Sequence, residues 1–227
     1  HHQEMRGRLR LDVIEGVAQI VLIDLIGGDL PRCDGAEQAI VFHGLFCFSS
    51  FCHCEEQALH SDVAIYKRSL KMKQTGAQII VKLLEMYGIE TVAGIPGGSI
   101  LPLYDELNRS KIRHVLVRQE QAAGFIAQGM ARTTGKPAVC MATSGPGAMN
   151  LLTAIADARC DSIPIIAITG QVNTSLLGTD AFQEADTFGL SFSITKHSIM
   201  VKSPEELLTA IPEAFTTALA ASIEGTL

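Results

Sequence analysis

Glu120 stands in the run Val117-Arg118-Gln119-Glu120-Gln121, where a short apolar stretch from His114 to Val117 gives way to a helical pattern. A lone acid at a helix start is ordinarily a cap or a counter-charge to the helix dipole, worth about 0.3–1 kcal/mol. Glu120 has company that this role does not require. Gly94-Ile-Pro-Gly-Gly-Ser99 precedes it, and Thr143-Ser-Gly-Pro-Gly147, Thr169-Gly-Gln171 and Asp180-Ala-Phe-Gln183 follow. Three of these four clusters close an apolar strand pattern, and an open parallel sheet binds ligands in the crevice outside the carboxyl ends of its strands. The acid is therefore expected to face a shared pocket.

The elements that must position this pocket begin at Met72. Thr75-Gly-Ala-Gln78 has the form of a capping box, Ala77, Ile80, Leu84 and Tyr87 recur at helical spacing, and Gly88 can supply a left-handed stop. Strands are expected at Thr91 to Ile95, His114 to Val117, Ala138 to Thr143, Ile163 to Thr169 and Lys196 to Val201. Ser99 is expected to cap a helix through Asn108. A helix after Glu120 is rich in small residues, which implies close packing against a neighbour, in this chain or in another subunit. Ala148 to Cys160 forms another, with Leu151, Leu152, Ile155 and Ala156 as its buried side, and 171–186 reads as loop. Ser203-Pro-Glu-Glu206 has the form of a second capping box, and Pro212 should kink the last helix. Strands alternating with helices imply an α/β fold, a parallel sheet with helices on both faces.

Composition narrows the class. The chain has 227 residues, 47% of them hydrophobic, a net charge of −6, a pI near 5.6 and a mean hydropathy of +0.25. That is enough apolar material for a core, and no basic cluster suits a nucleic acid. No apolar run reaches the roughly 18 residues of a membrane span, and the reading is cytoplasmic. Cys33, Cys47, Cys52 and Cys54 lie early with His43 and His53, but Cys-x-Cys without a second pair does not match structural zinc spacing, so no metal site is expected. Cys140 and Cys160 read as small buried hydrophobes.

Residues 1–71 read differently from the rest. Val17 to Ile26 and Ala39 to Phe51 could be strands, yet no capped helix joins them, and position 1 is not methionine. Ser50 to Ile65 resembles the product of bacterial intergenic repeat DNA translated as coding sequence. The expectation is that 1–71 is an extension, not genuine coding sequence or else disordered, and that the domain occupies 72–227. Amino-terminal analysis of the native product decides this.

Each glycine cluster could be no more than a tight strand-to-helix turn, or its amides could hold an anion. Neither Pro96-Gly97-Gly98 nor Gly145-Pro146-Gly147 fits a P-loop or a dinucleotide fingerprint. On spacing alone the reading stops at an α/β domain with a ligand crevice.

Residues Thr75 to about Ala221 resemble the amino-terminal, pyrimidine-binding domain of thiamine-diphosphate enzymes, most closely the large catalytic subunit of acetolactate synthase. The matching stretches are Gly94 to Pro102, Glu120-Gln121, Gly124 to Arg132, Thr143 to Ala148, Ile155 to Arg159, Ile168 to Val172, Gly178 to Glu184 and Ile194 to His197. Gly178 to Glu184 points to the acetolactate synthase branch. The resemblance implies the thiamine-diphosphate-binding fold, cut before its last strand. It implies that Glu120 contacts ring nitrogen N1′ of the cofactor's aminopyrimidine, where a shared proton favours the imino form that deprotonates the thiazolium C2. Ile95, Pro96, Gly97, Thr143, Pro146 and Asn150 would line the aminopyrimidine. Gly98, Ser99, Val172, Phe182 and Gln183 would border the substrate channel, with Gln183 also reaching the cofactor. Asn173 stands where the family usually has proline, and Gln119 where histidine is common.

The implied reaction decarboxylates pyruvate and joins the remaining two carbons to a second 2-keto acid, in branched-chain amino acid synthesis. Mg²⁺ and FAD are expected in the full-length enzyme, through domains not found here. A homodimer or higher oligomer and a small regulatory subunit are the implied partners. Another carboligase or decarboxylase on the same scaffold, or a non-catalytic interaction module, remain as alternatives.

Overall fold

The computed structural model describes residues 18–22 and 74–220. Its strands are β1 (Ala18–Leu22), β2 (Thr91–Gly94), β3 (Arg113–Leu116), β4 (Ala138–Ala142), β5 (Ile165–Gly170) and β6 (His197–Met200). Its helices are α1 (Gly76–Met86), α2 (Leu101–Leu107), α3 (Glu120–Thr134), α4 (Pro146–Cys160), α5 (Thr187–Phe192) and α6 (Leu207–Leu219). Among the described residues they build one six-stranded sheet in the order β3-β2-β4-β5-β1-β6. The strands β3, β2, β4 and β5 are mutually parallel, as alternation with helices predicts.

β1 departs from that prediction. It lies antiparallel to both β5 and β6, so that Ile20 pairs with Ile168 on one side and Ile199 on the other. A strand reached through a crossover helix is constrained to enter parallel. β1 lies far upstream of α1 in the chain, apart from the alternating helices and strands that follow Thr75. Within the expected strand Val17 to Ile26 it covers five residues, Ala18–Leu22. The expected strand Ala39 to Phe51, the early cysteines and the proposed start at Met72 lie outside the described residues.

Two cores cover the two faces. On one, α1, α2 and α6 bring Ile79, Ile80, Leu83, Leu84, Leu103, Ile211 and Phe215 against Val92, Val139, Ile166 and Ile168. On the other, α3 and α4 bring Ala123, Ala127, Leu151, Ile155 and Ala158 against Ala93, Cys140, Ile165 and Ala167. Period-two alternation thus sends neighbouring residues of β4 and β5 to opposite cores, which is why both strands read as continuous apolar runs. No helix among the described residues is long and apolar enough to cross a membrane.

Local signals were legible to different degrees. The capping box forms: Thr75 Oγ1 accepts the Gln78 amide at 3.2 Å and Gln78 Oε1 accepts the Thr75 amide at 3.0 Å. Gly88 takes φ 71° after α1, and Tyr87 stacks on Phe215 with ring centroids 4.0 Å apart. The box expected at Ser203 does not form. Residues 204–206 are turn, α6 starts at Leu207, and Glu206 Oε2 instead accepts the Lys202 amide at 2.7 Å. Pro212 lies inside α6, where the Leu208 carbonyl is left without its helical donor. Ser99 caps nothing either; it lies inside a 3₁₀ turn, Gly98–Ile100, that runs into α2. In α4 the buried side is Leu151, Ala154, Ile155 and Ala158, with Leu152 partly buried against the same core and Ala156 half-buried. Cys140 is buried as expected, whereas Cys160 is exposed at the end of α4.

Candidate functional site

The parallel strands bring their carboxyl ends, at Gly94, Leu116, Ala142 and Gly170, to one edge of the sheet. Glu120 opens α3 at that edge. Its neighbour Gln119 occupies the N-cap position with extended backbone but makes no side-chain cap, its amide pointing instead to Gln121 Oε1 at 3.2 Å. The Glu120 carboxylate does not cap its own helix. Oε2 accepts a hydrogen bond from Asn150 Nδ2 of α4 at 2.9 Å, which fixes one oxygen and leaves the other free for a partner.

That second oxygen borders space kept open by glycine. A Cβ on Gly147 would come 3.4 Å from Glu120 Oε1 and 2.7 Å from Thr143 Cγ2. A Cβ on Gly97 would meet the same threonine at 2.5 Å. Thr143 is thus held between two bare backbones, and its hydroxyl lies 3.0 Å from Ser99 Oγ. Ser99 Oγ also accepts the Ser144 amide at 3.0 Å. A Cβ on Gly170 would fall 2.2 Å from that oxygen. One hydroxyl therefore ties the ends of β2 and β4 and needs glycine at the end of β5.

A loop closes the edge between β5 and α5. The buried Gln171 donates from Nε2 to the Ala185 carbonyl at 3.0 Å and accepts the Val172 amide at 2.9 Å, bringing the two ends of the loop together. Asn173 caps the 3₁₀ turn Thr174–Leu176 by accepting the Ser175 amide at 3.2 Å. The Glu184 carboxylate gathers the amides of Gly178 and Ala181, the latter at 3.0 Å. The Gly178 amide above all, with those of Ala181, Thr179 and Asp180, holds its carboxyl below the usual carboxylate range. Gln183 has φ 61°, and its carbonyl lies where a Cβ on Gly145 would approach to 2.5 Å. Phe182 projects outward, 88% exposed.

Glu120, Asn150, Thr143 and Gly97 are thereby brought together, with Ile95 and Pro96 on the same turn after β2 and Pro146 exposed at the start of α4. Gly98 faces open space, Ser99 is half-buried against Thr143, and Val172 is buried. Gln183 reaches the site through its contact with Gly145, whereas Phe182 meets solvent. Sequence reasoning missed Gln171 and Glu184 as organisers of the loop; an amide and an acid flanking a turn-rich run were the available signals. It also missed Tyr104, whose buried hydroxyl has no hydrogen-bond partner among the described residues and would touch a Cβ on Gly94 at 2.5 Å. Burial, then Cys140 and Glu120, push that hydroxyl far above its ordinary value. Burial likewise pushes the Cys140 thiol up to about 12. Among the described residues no group of three His, Cys, Asp or Glu could hold a metal ion.

An acid at a strand-to-helix junction is here steadied by an amide and flanked by glycine turns. Residues 74–190 match the model for the thiamine pyrophosphate enzyme N-terminal TPP binding domain, and the chain belongs to that family. Among its relatives, acetolactate synthase isozyme 1 large subunit of Escherichia coli K12 is 64% identical over 151 residues, 66% of this chain and 27% of that protein. The acetolactate synthase of Mycobacterium bovis is 56% identical over 62% of this chain and 23% of its own length. The isozyme 2 large subunit of Escherichia coli K12 is 55% identical over 63% and 26%. The chain thus spans about a quarter of the length of the relatives it matches.

Proposed function

We propose that this chain is the pyrimidine-side domain of an acetolactate synthase large subunit, acting on pyruvate and a second 2-keto acid, pyruvate or 2-oxobutyrate. The observation that carries the reading is the Glu120 carboxylate, held by Asn150 at 2.9 Å with its other oxygen beside Gly147. A flat ring with a basic nitrogen fits there, because a side chain at 147 would occupy the space next to that oxygen. Thiamine diphosphate, when bound, supplies the carbanion chemistry that decarboxylation and carbon–carbon bond formation require. Glu120 would share a proton with the ring nitrogen, and Asn150 would keep the carboxylate turned towards it. Thr143, Gly97, Ile95, Pro96 and Pro146 would shape the slot. Ser99 would hold the threonine, and Gly98, Val172, Phe182 and Gln183 would form the side from which the keto acid enters.

A docking module without turnover would have no use for an acid steadied in this way. Mg²⁺ and FAD would be bound by the parts of the relatives outside the matched quarter, and no residue here is assigned to them. A second copy of the chain and a small subunit are the partners that fit relatives named as large subunits, and the setting is the cytoplasm in branched-chain amino acid synthesis.

The test uses residues 74–220 grafted in place of the matching segment of the Escherichia coli isozyme 1 large subunit. Glu120→Gln keeps the size but cannot share the proton. Exchange of the cofactor C2 proton, followed by NMR in D₂O, is expected to slow by about 10²–10⁴ with folding little changed. Unaltered exchange would reduce Glu120 to a helix-start residue and reject the reading.

A further inference from the structure

The chain between the Thr174–Leu176 turn and α5 folds back on itself around one carboxylate. Glu184 Oε1 accepts the Gly178 amide and Oε2 the Ala181 amide, while the Glu184 amide returns to the Ala181 carbonyl at 2.9 Å. Inside that ring Asp180 and Gln183 take φ of 56° and 61°. Side-chain-bearing residues rarely hold such values unless the surroundings enforce them. Phe182 is 88% exposed, so among the described residues little holds its side chain and the backbone sets its direction. At the far side the Gln183 carbonyl rests on Gly145, the residue before α4, and Gln171 holds the Ala185 carbonyl. The carboxylate is thus the interior fastening of a loop whose ends are already fixed.

We propose that Glu184 is a positioning residue: it ties residues 178–184 into a rigid bracket that sets where Gln183 stands against the Gly145 turn and where its neighbour Phe182 points, and so governs which 2-keto acid is accepted as the second substrate. This rests on the function proposed above. The chemistry asks for a carboxylate, because two backbone donors converge on two acceptor oxygens. Glutamine at 184 offers one acceptor and turns an NH₂ group towards the other amide, so one bond is lost at nearly constant volume.

Two readouts test the proposal. In the 227-residue chain labelled with ¹⁵N, Glu184→Gln is expected to make the Gly178 or Ala181 amide exchange at least about 10-fold faster. The Ile166 and Ile168 amides of β5 should keep their protection and so report that the fold is intact. In the graft, supplied with pyruvate and 2-oxobutyrate together, the same variant should change the ratio of the two products several-fold while thiamine diphosphate affinity stays as in the unsubstituted graft. Unchanged exchange at both amides would overturn the bracket. Faster exchange with an unchanged product ratio would overturn its role in selection. A graft that makes neither product before substitution would instead strike the proposed function, and the exchange measurement would still decide the bracket.

Discussion

Gly147 shows how closely the site is drawn around Glu120. It lies in the first turn of α4, where alanine would ordinarily favour the helix by about 0.8–1.0 kcal/mol. Here a methyl group would meet Thr143 Cγ2 at 2.7 Å and approach the free carboxylate oxygen at 3.4 Å. Gly147→Ala is therefore expected to leave thermal stability within about 1 kcal/mol of the parent, by opposing effects, while slowing C2 proton exchange in the graft by about 10-fold or more, since small misplacements near a reacting group are costly. Stability loss without any change in exchange would place Gly147 in the core, not in the site. Glu120 and the Thr143–Gly147 cluster could be read from residue types, whereas Asn150 was named only through the family resemblance. The bond from Asn150 to Glu120 spans 30 residues, and the Ser99 hydroxyl bridges 44, so neither pairing has a local signature.

At the scale of elements, α3 and α4 carry the site between them, and their crossing sets how its two halves meet. A Cβ on Gly124 would collide with the Ala154 Cβ at 2.5 Å, and the buried Gln128 donates to the Ala154 carbonyl at 2.8 Å. The helices touch here through backbone and methyl groups, as the run of small residues after Glu120 suggested, but the neighbour is a helix of the same chain. Gly124→Val would wedge them apart and is expected to cost about 1–3 kcal/mol, seen as a lowered Tm or urea midpoint. An unchanged midpoint would mean that the contact can relax without cost. Helices with strong apolar periodicity, such as α1, were legible almost to the residue. The box at Ser203-Pro-Glu-Glu206 failed because Glu206 turned to the Lys202 amide, an alternative that the pattern of hydroxyl and acid does not distinguish. The six-residue α5 lies just beyond the stretch 171–186 read as loop, where no element was expected. It begins with an Asp186 cap on the Gly189 amide at 2.9 Å, and so short a helix shows little periodicity.

Across the whole molecule, the sheet presents two separate cores to its two helix layers, and the site lies at the one edge where the parallel strands end together. β1 completes the hydrogen bonding between β5 and β6 without contributing to that edge's named residues. The positions that would meet the aminopyrimidine are thus supplied by 94–184, whereas the rest of a thiamine-diphosphate site would belong to the three-quarters of the relatives' length that this chain does not span. The central claim is that these residues form the working pyrimidine half of an acetolactate synthase. It is tested most directly by supplying that remainder from the Escherichia coli isozyme 1 large subunit and measuring acetolactate formed from pyruvate. Formation of acetolactate that depends on thiamine diphosphate is the expected result. A folded graft that binds the cofactor and consumes pyruvate without forming acetolactate would contradict the account.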